Sequence, residues 1–166
     1  TVTGSASADT VSLGGVTVTT ASTSITGGAG DDTLTGSAGV DVIEGGVGSD
    51  AISGGTGNDT VTYAGAADTA DTGTQVGVVV NLSASAITNT TIVSSTGDFT
   101  ADSVTSVASN TAAYLYAGAG ATNSAATDTL NSMENVTGTA GTDYIVGSST
   151  ANVITGNAGV DTLTGG

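Results

Sequence analysis

A nine-residue period in glycine constrains this chain more than any other feature. Positions 27 to 62 hold four unbroken units, GGAGDDTLT, GSAGVDVIE, GGVGSDAIS and GGTGNDTVT. The sixth position of every unit is Asp (32, 41, 50 and 59), and the eighth is aliphatic (34, 43, 52 and 61). Because each glycine costs a helix about 0.5–1 kcal/mol relative to Ala, the period predicts turns and short strands.

Each unit is interpreted as a six-residue turn, in which glycine can take positive φ, followed by a three-residue strand with one inward aliphatic side chain. Two units make one coil, which places Asp32 beside Asp50 and Asp41 beside Asp59 at the parallel-strand spacing of about 4.8 Å. Two unit charges about 5 Å apart repel by about 3 kcal/mol at an effective dielectric of about 20. Such columns oppose folding unless they are protonated or bridged by a cation.

The charge balance indicates that this cation comes from solution. The chain has 15 acidic residues and no Lys, Arg or His, for a formal net charge of −15. Ca²⁺ is the natural bridge because it accepts carboxylate and backbone carbonyl oxygens in flexible geometry. The alternative is a metal-free glycine stack whose Asp residues serve solubility alone. The constant position of Asp within the units argues against that alternative.

The same composition excludes several functions. Without Lys or Arg the chain lacks the groups that bind phosphate, so nucleic acid and anionic membrane surfaces are not expected partners. Without His, Cys or Lys most nucleophilic and zinc catalysis is absent, and we expect no enzyme. Glycoside hydrolysis by a carboxylate pair stays formally open. The longest aliphatic run is Val78 to Val80, far short of the roughly 20 residues of a membrane helix, so no membrane insertion is expected.

The four units resemble the GGxGxDxUx nonapeptide of the repeats-in-toxin (RTX) family, and four tandem copies in one register make the resemblance specific. The resemblance implies an all-β fold, a right-handed parallel β-roll or β-helix solenoid with calcium-binding turns. In that family the ion lies between turns two units apart. Its ligands are the carbonyls of positions 2 and 4 and the Asp of one turn, and the carbonyls of positions 1 and 3 and the Asp of the other.

Carried over residue by residue, this family pattern implies three calcium sites in the first array. The first site would use Gly28, Gly30, Asp32, Gly45, Val47 and Asp50. The second site, which has serine where the family has glycine, would use Ser37, Gly39, Asp41, Gly54, Thr56 and Asp59. A third site, formed with a degenerate unit, would use Gly46, Gly48, Asp50, Tyr63, Gly65 and Asp68.

A second array restarts the period at Gly138 with GTAGTDYIV, GSSTANVIT and GNAGVDTLT. The resemblance implies a fourth site here, from Thr139, Gly141, Asp143, Gly156, Ala158 and Asp161. Asn152 replaces Asp in the middle unit and is a weaker candidate to pair with Glu134. The closing glycines look like the opening of a further unit, so this array is expected to continue.

The arrays divide the chain into segments of one continuous domain. In chain order we expect a lead-in β coil over 1–26, a first β-roll over 27–68, irregular solenoid coils or an insert over 69–137, and a second β-roll over 138–166. The lead-in contains a degenerate unit that ends in Asp9-Thr10-Val11. Stretches from Val78 to Leu82 and from Thr127 to Gly138 also resemble segments that follow the repeats in the family.

The resemblance also implies a biological role. The chain would be exported unfolded where calcium is scarce and would fold where calcium is abundant. We expect a non-catalytic structural segment of a secreted surface layer, sheath, filament or adhesin stalk, at the cell surface, exported by a type I secretion system. Its ends would stack on neighbouring solenoid domains or on copies of itself.

Two other roles stay open. The segment could be the calcium-dependent export and folding module of a secreted enzyme such as a protease or lipase. It could also belong to a carbohydrate-binding adhesin, in which Tyr114 and Tyr116 stack on a sugar, although cross-strand packing is the commoner role of such a pair.

Overall fold

A computed structural model describes residues 1–17, 22–65, 74–88, 106–117 and 126–166. These residues form 16 strands and no helix, which confirms the all-β class, and they contain no helix that could cross a membrane. In chain order the strands are β1 Val2–Thr3, β2 Thr10–Ser12, β3 Thr23–Ala29, β4 Thr33–Thr35, β5 Asp41–Val47, β6 Ala51–Ser53, β7 Thr60–Thr62, β8 Thr74–Asn81, β9 Ile87–Thr88, β10 Ser106–Val107, β11 Thr111–Ala117, β12 Thr127–Asn131, β13 Asn135–Thr137, β14 Tyr144–Val146, β15 Ile154–Thr155 and β16 Thr162–Thr164.

The strands form two large sheets and one small one. A six-stranded sheet has the order β1-β3-β5-β7-β13-β15, and its neighbours are all parallel. An eight-stranded sheet has the order β16-β14-β8-β11-β12-β6-β4-β2. Strands β9 and β10 pair antiparallel by themselves. Among the described strands both large sheets are open, because the strands at the two ends of each order pair on one side only.

The pairing of the repeat strands follows the nine-residue period. Ile25 pairs with Ile43 in the six-stranded sheet, and Leu34 pairs with Ile52 in the eight-stranded sheet. Successive units therefore alternate between the two sheets, and units two apart are neighbours in one sheet. The predicted pairing two units apart is confirmed for these strands.

The inward side chains of both sheets build one core. A single cluster of buried residues joins the aliphatic ladders, and its members include Ile25, Leu34, Ile43, Ile52, Val61, Val80, Leu130, Val136 and Ile145. The three-residue strands β4, β6, β7 and β14 each contribute one buried side chain at their centre. Because the aliphatic residue of each repeat unit is held in the core, the position of the turn that precedes it is also determined.

The segment between the arrays interrupts only one of the sheets. Strand β7 pairs directly with β13, whereas β12, β11 and β8 stand between β6 and β14. Strand β11 runs antiparallel to both β8 and β12, so this segment adds a reversed strand where regular coils would be parallel throughout. The side chains of Ala112 and Tyr114 extend the same core across it.

Candidate metal centre

The Asp residues of the repeats lie in columns, and in each predicted pair the carboxylate of the later Asp accepts a backbone hydrogen bond from the earlier turn. The Asp32 amide donates to Asp50 Oδ1 at 2.8 Å, and the Asp41 amide donates to Asp59 Oδ1 at 2.8 Å. The Asp143 amide donates to an Asp161 carboxylate oxygen at 3.0 Å in the second array. The structure therefore brings together both acids of the first, second and fourth predicted sites.

The glycine that opens each turn has no side chain, so oxygens of its own turn and of the neighbouring turn can approach it closely. We call this oxygen-lined space the cradle. A Cβ added to Gly27 would overlap both Asp32 Oδ2 and the carbonyl oxygen of Gly45. At Gly36 the corresponding atoms are Asp41 Oδ2 and the Gly54 carbonyl oxygen. In each case the two oxygens are predicted ligands of one site.

The second array repeats this cradle. A Cβ added to Gly138 would overlap Asp143 Oδ2 and would approach the Gly156 carbonyl oxygen to 3.2 Å. The amide and hydroxyl of Thr139 donate to the Asp143 carboxylate at 2.8 Å each. The carboxylate is therefore held inside its own turn.

Other predicted ligand carbonyls face the following turn. The Gly28 carbonyl lies against Gly46 and the Gly30 carbonyl against Gly48, and both contacted glycines have positive φ. The Val47 carbonyl accepts a hydrogen bond from the Gly30 amide at 2.8 Å, so one of its lone pairs is used between the turns.

The same contacts recur in the other two sites. The carbonyls of Ser37 and Gly39 lie against Gly55 and Gly57, and the Gly141 carbonyl lies against Gly159. Thr56 and Ala158, the third-position residues of the second and fourth sites, are exposed.

Two carboxylate oxygens at these sites are buried without a hydrogen-bond partner. They are Asp32 Oδ2 and Asp59 Oδ2, and both residues are at most 2% exposed. A buried charged oxygen that lacks a partner costs more than an ordinary unmade hydrogen bond. Since the chain has no Lys, Arg or His, only an external cation or a proton can offset that cost.

The electrostatics of the turns point the same way. Burial is the largest cause of a raised pKa at Asp32, and the charges of Asp9 and Asp31 add to it. Burial likewise raises the pKa of Asp59, with the charges of Asp41 and Glu134 as further causes. A cation bound beside these carboxylates would favour their charged form and so oppose the shift.

In turns where serine replaces the glycine of the second position, the serine hydroxyl donates a hydrogen bond to the Asp carboxylate of the same turn. The Ser37 amide and hydroxyl donate to Asp41 Oδ2 at 2.7 and 3.0 Å. Ser5 makes the same two contacts to Asp9. Burial still raises the pKa of Asp143, although hydrogen bonds from Thr139 oppose the shift.

The third predicted site lies only partly within the described residues. Asp68 is outside them, and Gly65 lies beside the Glu44 carboxylate. The Asp50 amide donates a hydrogen bond at 3.0 Å to the carboxylate of Asp128, which lies 78 residues further along the chain. The third site stays a prediction.

Tyrosine hydroxyls also lie at this position. Tyr63 donates to Asp128 Oδ2 at 3.0 Å, and Tyr114 donates to the Gly46 carbonyl, a predicted ligand of the third site, at 3.0 Å. The two rings pack edge to face with centroids 5.7 Å apart. Burial raises the pKa of Asp128 to about 7, and the charge of Asp50 adds to the shift.

The sugar-stacking hypothesis for Tyr114 is wrong, because its ring is 1% exposed and packs in the core. The side chain of Tyr116 lies outside the described residues. The weaker pairing of Asn152 with Glu134 takes the form of a hydrogen bond from Asn152 Nδ2 to the Glu134 main-chain oxygen at 2.6 Å.

Two further acids continue the columns; from the sequence, Asp9 was given no metal role and Glu134 was paired only with Asn152. The Asp9 amide donates to Asp32 Oδ1 at 2.7 Å, and the Asp59 amide donates to Glu134 Oε2 at 2.9 Å. The spacing from Gly4 to Asp9, equal to that from Gly27 to Asp32, was a signal for the first. The position of Glu134, 18 residues before Asn152, was a signal for the second.

No group of three or more His, Cys, Asp or Glu side chains converges among the described residues. Each predicted site holds two carboxylates, so backbone carbonyls must supply most of the oxygens. That donor set suits Ca²⁺, which binds six to eight oxygens and accepts carbonyls readily.

Glycine turns that stack paired carboxylates and carbonyls on parallel strands define a metal-binding repeat protein. A sequence model of the RTX calcium-binding nonapeptide repeat matches residues 26–61 and 137–166, in four copies. Both arrays thus match the RTX repeat, as the resemblance indicated, and such repeats imply Ca²⁺ binding. No curated protein matches the chain.

Proposed function

We propose that the chain is a non-catalytic structural segment of a secreted cell-surface protein, and that it folds on calcium after export as a right-handed parallel β-roll solenoid. The observation that carries the proposal is the column of buried carboxylates, with Asp32 Oδ2 and Asp59 Oδ2 unpartnered, in a chain without a cationic side chain. The first, second and fourth sites hold the ions with the ligand sets given above.

Coupling between calcium and folding follows from the position of the ligands. The acids of each site come from turns 18 residues apart, and the unfolded chain does not hold them together. The free energy of calcium binding is therefore free energy of folding. In a cell interior poor in calcium the chain stays unfolded and competent for export; outside the cell it folds into a stiff rod.

The open edges of both large sheets support a role in assembly. Strands β1 and β15 end one sheet, and β2 and β16 end the other, each with one edge that no other described strand pairs with. At one end Val153, Val160 and Leu163 are 46–63% exposed. A neighbouring solenoid domain or a second copy would cover these edges, as in a surface layer, sheath, filament or adhesin stalk.

A second candidate is the export and folding module of a secreted enzyme, in which these repeats serve a catalytic domain elsewhere. The calcium-dependent folding is common to both candidates. A catalytic domain next to this segment in the full-length protein would favour the enzyme, and further Lys-free, Thr-rich repeats would favour the structural role.

Thermal unfolding at increasing calcium tests the binding that both candidates require. We expect the unfolding free energy to rise by about 1.4 kcal/mol per ion bound for each tenfold increase in calcium above the dissociation constant. Magnesium at equal ionic strength should give a much smaller rise, because it demands octahedral geometry and keeps its waters. A melting temperature that is the same in chelator and in excess calcium would contradict the proposal.

A further inference from the structure

The turn 54–59 faces a segment that belongs to neither array. Six residues join β6 to β7 in this turn, whereas three residues, Ser132 to Glu134, join β12 to β13 beside it. The Gly54 amide donates to the Asn131 carbonyl at 3.0 Å, and the Asn135 amide donates to the Asp59 carbonyl at 2.9 Å. The two connections are therefore held together at both ends.

The gap between these connections carries the same oxygen cradle as the repeat sites. A Cβ added to Gly54 would overlap Asp59 Oδ2 and the Ser132 carbonyl oxygen. Asp59 is fully buried, and its Oδ2 has no hydrogen-bond partner. In the first array the corresponding pairs at Gly27 and Gly36 lie in predicted calcium sites.

Glu134 supplies the second carboxylate. Its Oε2 accepts the Asp59 amide at 2.9 Å, as Asp59 Oδ1 accepts the Asp41 amide at 2.8 Å. A glutamate has one more methylene than an aspartate, which gives it additional reach from the shorter connection. Buried Met133 anchors that connection in the core.

We propose that a calcium ion binds between Asp59 and Glu134, with Asp59 Oδ2, the Ser132 carbonyl and the Glu134 carboxylate among its ligands. Carbonyls of the turn 54–59 and water supply the remaining oxygens. The inference rests on the calcium binding proposed above. It adds a site that pairs a repeat turn with residues outside both matched ranges.

Such an ion has a structural consequence that repeat sites lack. Asp59 and Glu134 are 75 residues apart, whereas the acids of a repeat site are 18 apart. A metal link that closes a longer loop removes more conformational entropy from the unfolded chain. The ion would fasten β13 to β7 and so dock the interrupting segment onto the first array.

The test replaces Glu134 and counts the ions bound. Glu134→Gln keeps an oxygen that can accept the Asp59 amide but removes the charge, so the fold should persist. We expect the variant to bind one calcium ion fewer than the wild type at saturation, measured by equilibrium dialysis and metal analysis. Asp31→Asn is the matched control, because it also removes one negative charge and Asp31 is exposed and accepts the Ser49 amide, outside this gap.

Each outcome separates this inference from the proposed function. A folded Glu134→Gln variant with the full wild-type ion count would overturn the inference and leave the repeat sites intact. A wild-type protein that binds no calcium would contradict the proposed function itself. If the variant does not fold, anomalous diffraction from wild-type crystals grown with terbium decides: a peak among the three oxygens supports the site, and its absence in a map with peaks at the repeat sites refutes it.

Discussion

Gly27→Ala is expected to abolish the first calcium site and to lower the unfolding free energy in calcium by about 2–3 kcal/mol, as overpacking does in a close-packed interior. The new Cβ would overlap Asp32 Oδ2 and the Gly45 carbonyl oxygen. The carboxylate can rotate away, but the carbonyl belongs to the backbone of the next turn and can move only with the coil. The added methyl therefore takes the place of the ion.

Calcium counts and denaturant unfolding of the variant measure this effect. Gly15→Ala is the control, because a Cβ there meets nothing within 4 Å, and we expect its stability to change by less than about 0.5 kcal/mol. A Gly27→Ala protein that binds as many ions as the wild type would show that the space beside Gly27 is not part of a site.

Asp59→Asn is expected to weaken the binding of two ions, and Asp41→Asn of one. Asp59 lies between the second repeat site and the site proposed with Glu134, whereas Asp41 serves the repeat site alone. Asn keeps an oxygen for the Asp41 amide, so the change removes charge with little loss of shape. We expect at least a tenfold weaker affinity for each ion affected.

Isothermal titration calorimetry of the wild type and the two variants with calcium compares the losses of affinity. Asp31→Asn is the control, since Asp31 is exposed, precedes the ligand Asp in its turn and accepts the Ser49 amide at 2.9 Å. Equal losses for the Asp59 and Asp41 variants would contradict the sharing of Asp59 between two ions.

The repeat part of the fold could be predicted from the sequence because its information is local. A unit of nine residues carries its own turn and strand, so the pairing of Ile25 with Ile43 and the neighbouring positions of Asp32 and Asp50 follow from counting. The position of the cradle also follows from the unit, because the opening glycine and the Asp that contacts it belong to the same turn.

The interrupting segment could not be predicted in the same way. Asp128 reaches the Asp50 amide from 78 residues away, and Glu134 reaches the Asp59 amide from 75. The nine-residue period does not pair these residues with each other, because their relative positions depend on how β8, β11 and β12 pack between the arrays. The burial of Tyr114 could not be predicted for the same reason, since the side of the sheet on which a strand residue lies is known only once the sheet is assembled.

The central claim is that the acidic columns need a divalent cation before the chain can fold. Far-UV circular dichroism of the whole chain, first in chelator and then titrated with calcium, tests it most directly. We expect a weak β signal in chelator that rises cooperatively as calcium is added and falls when chelator is restored. A complete β signal in chelator, unchanged by calcium, would contradict the account.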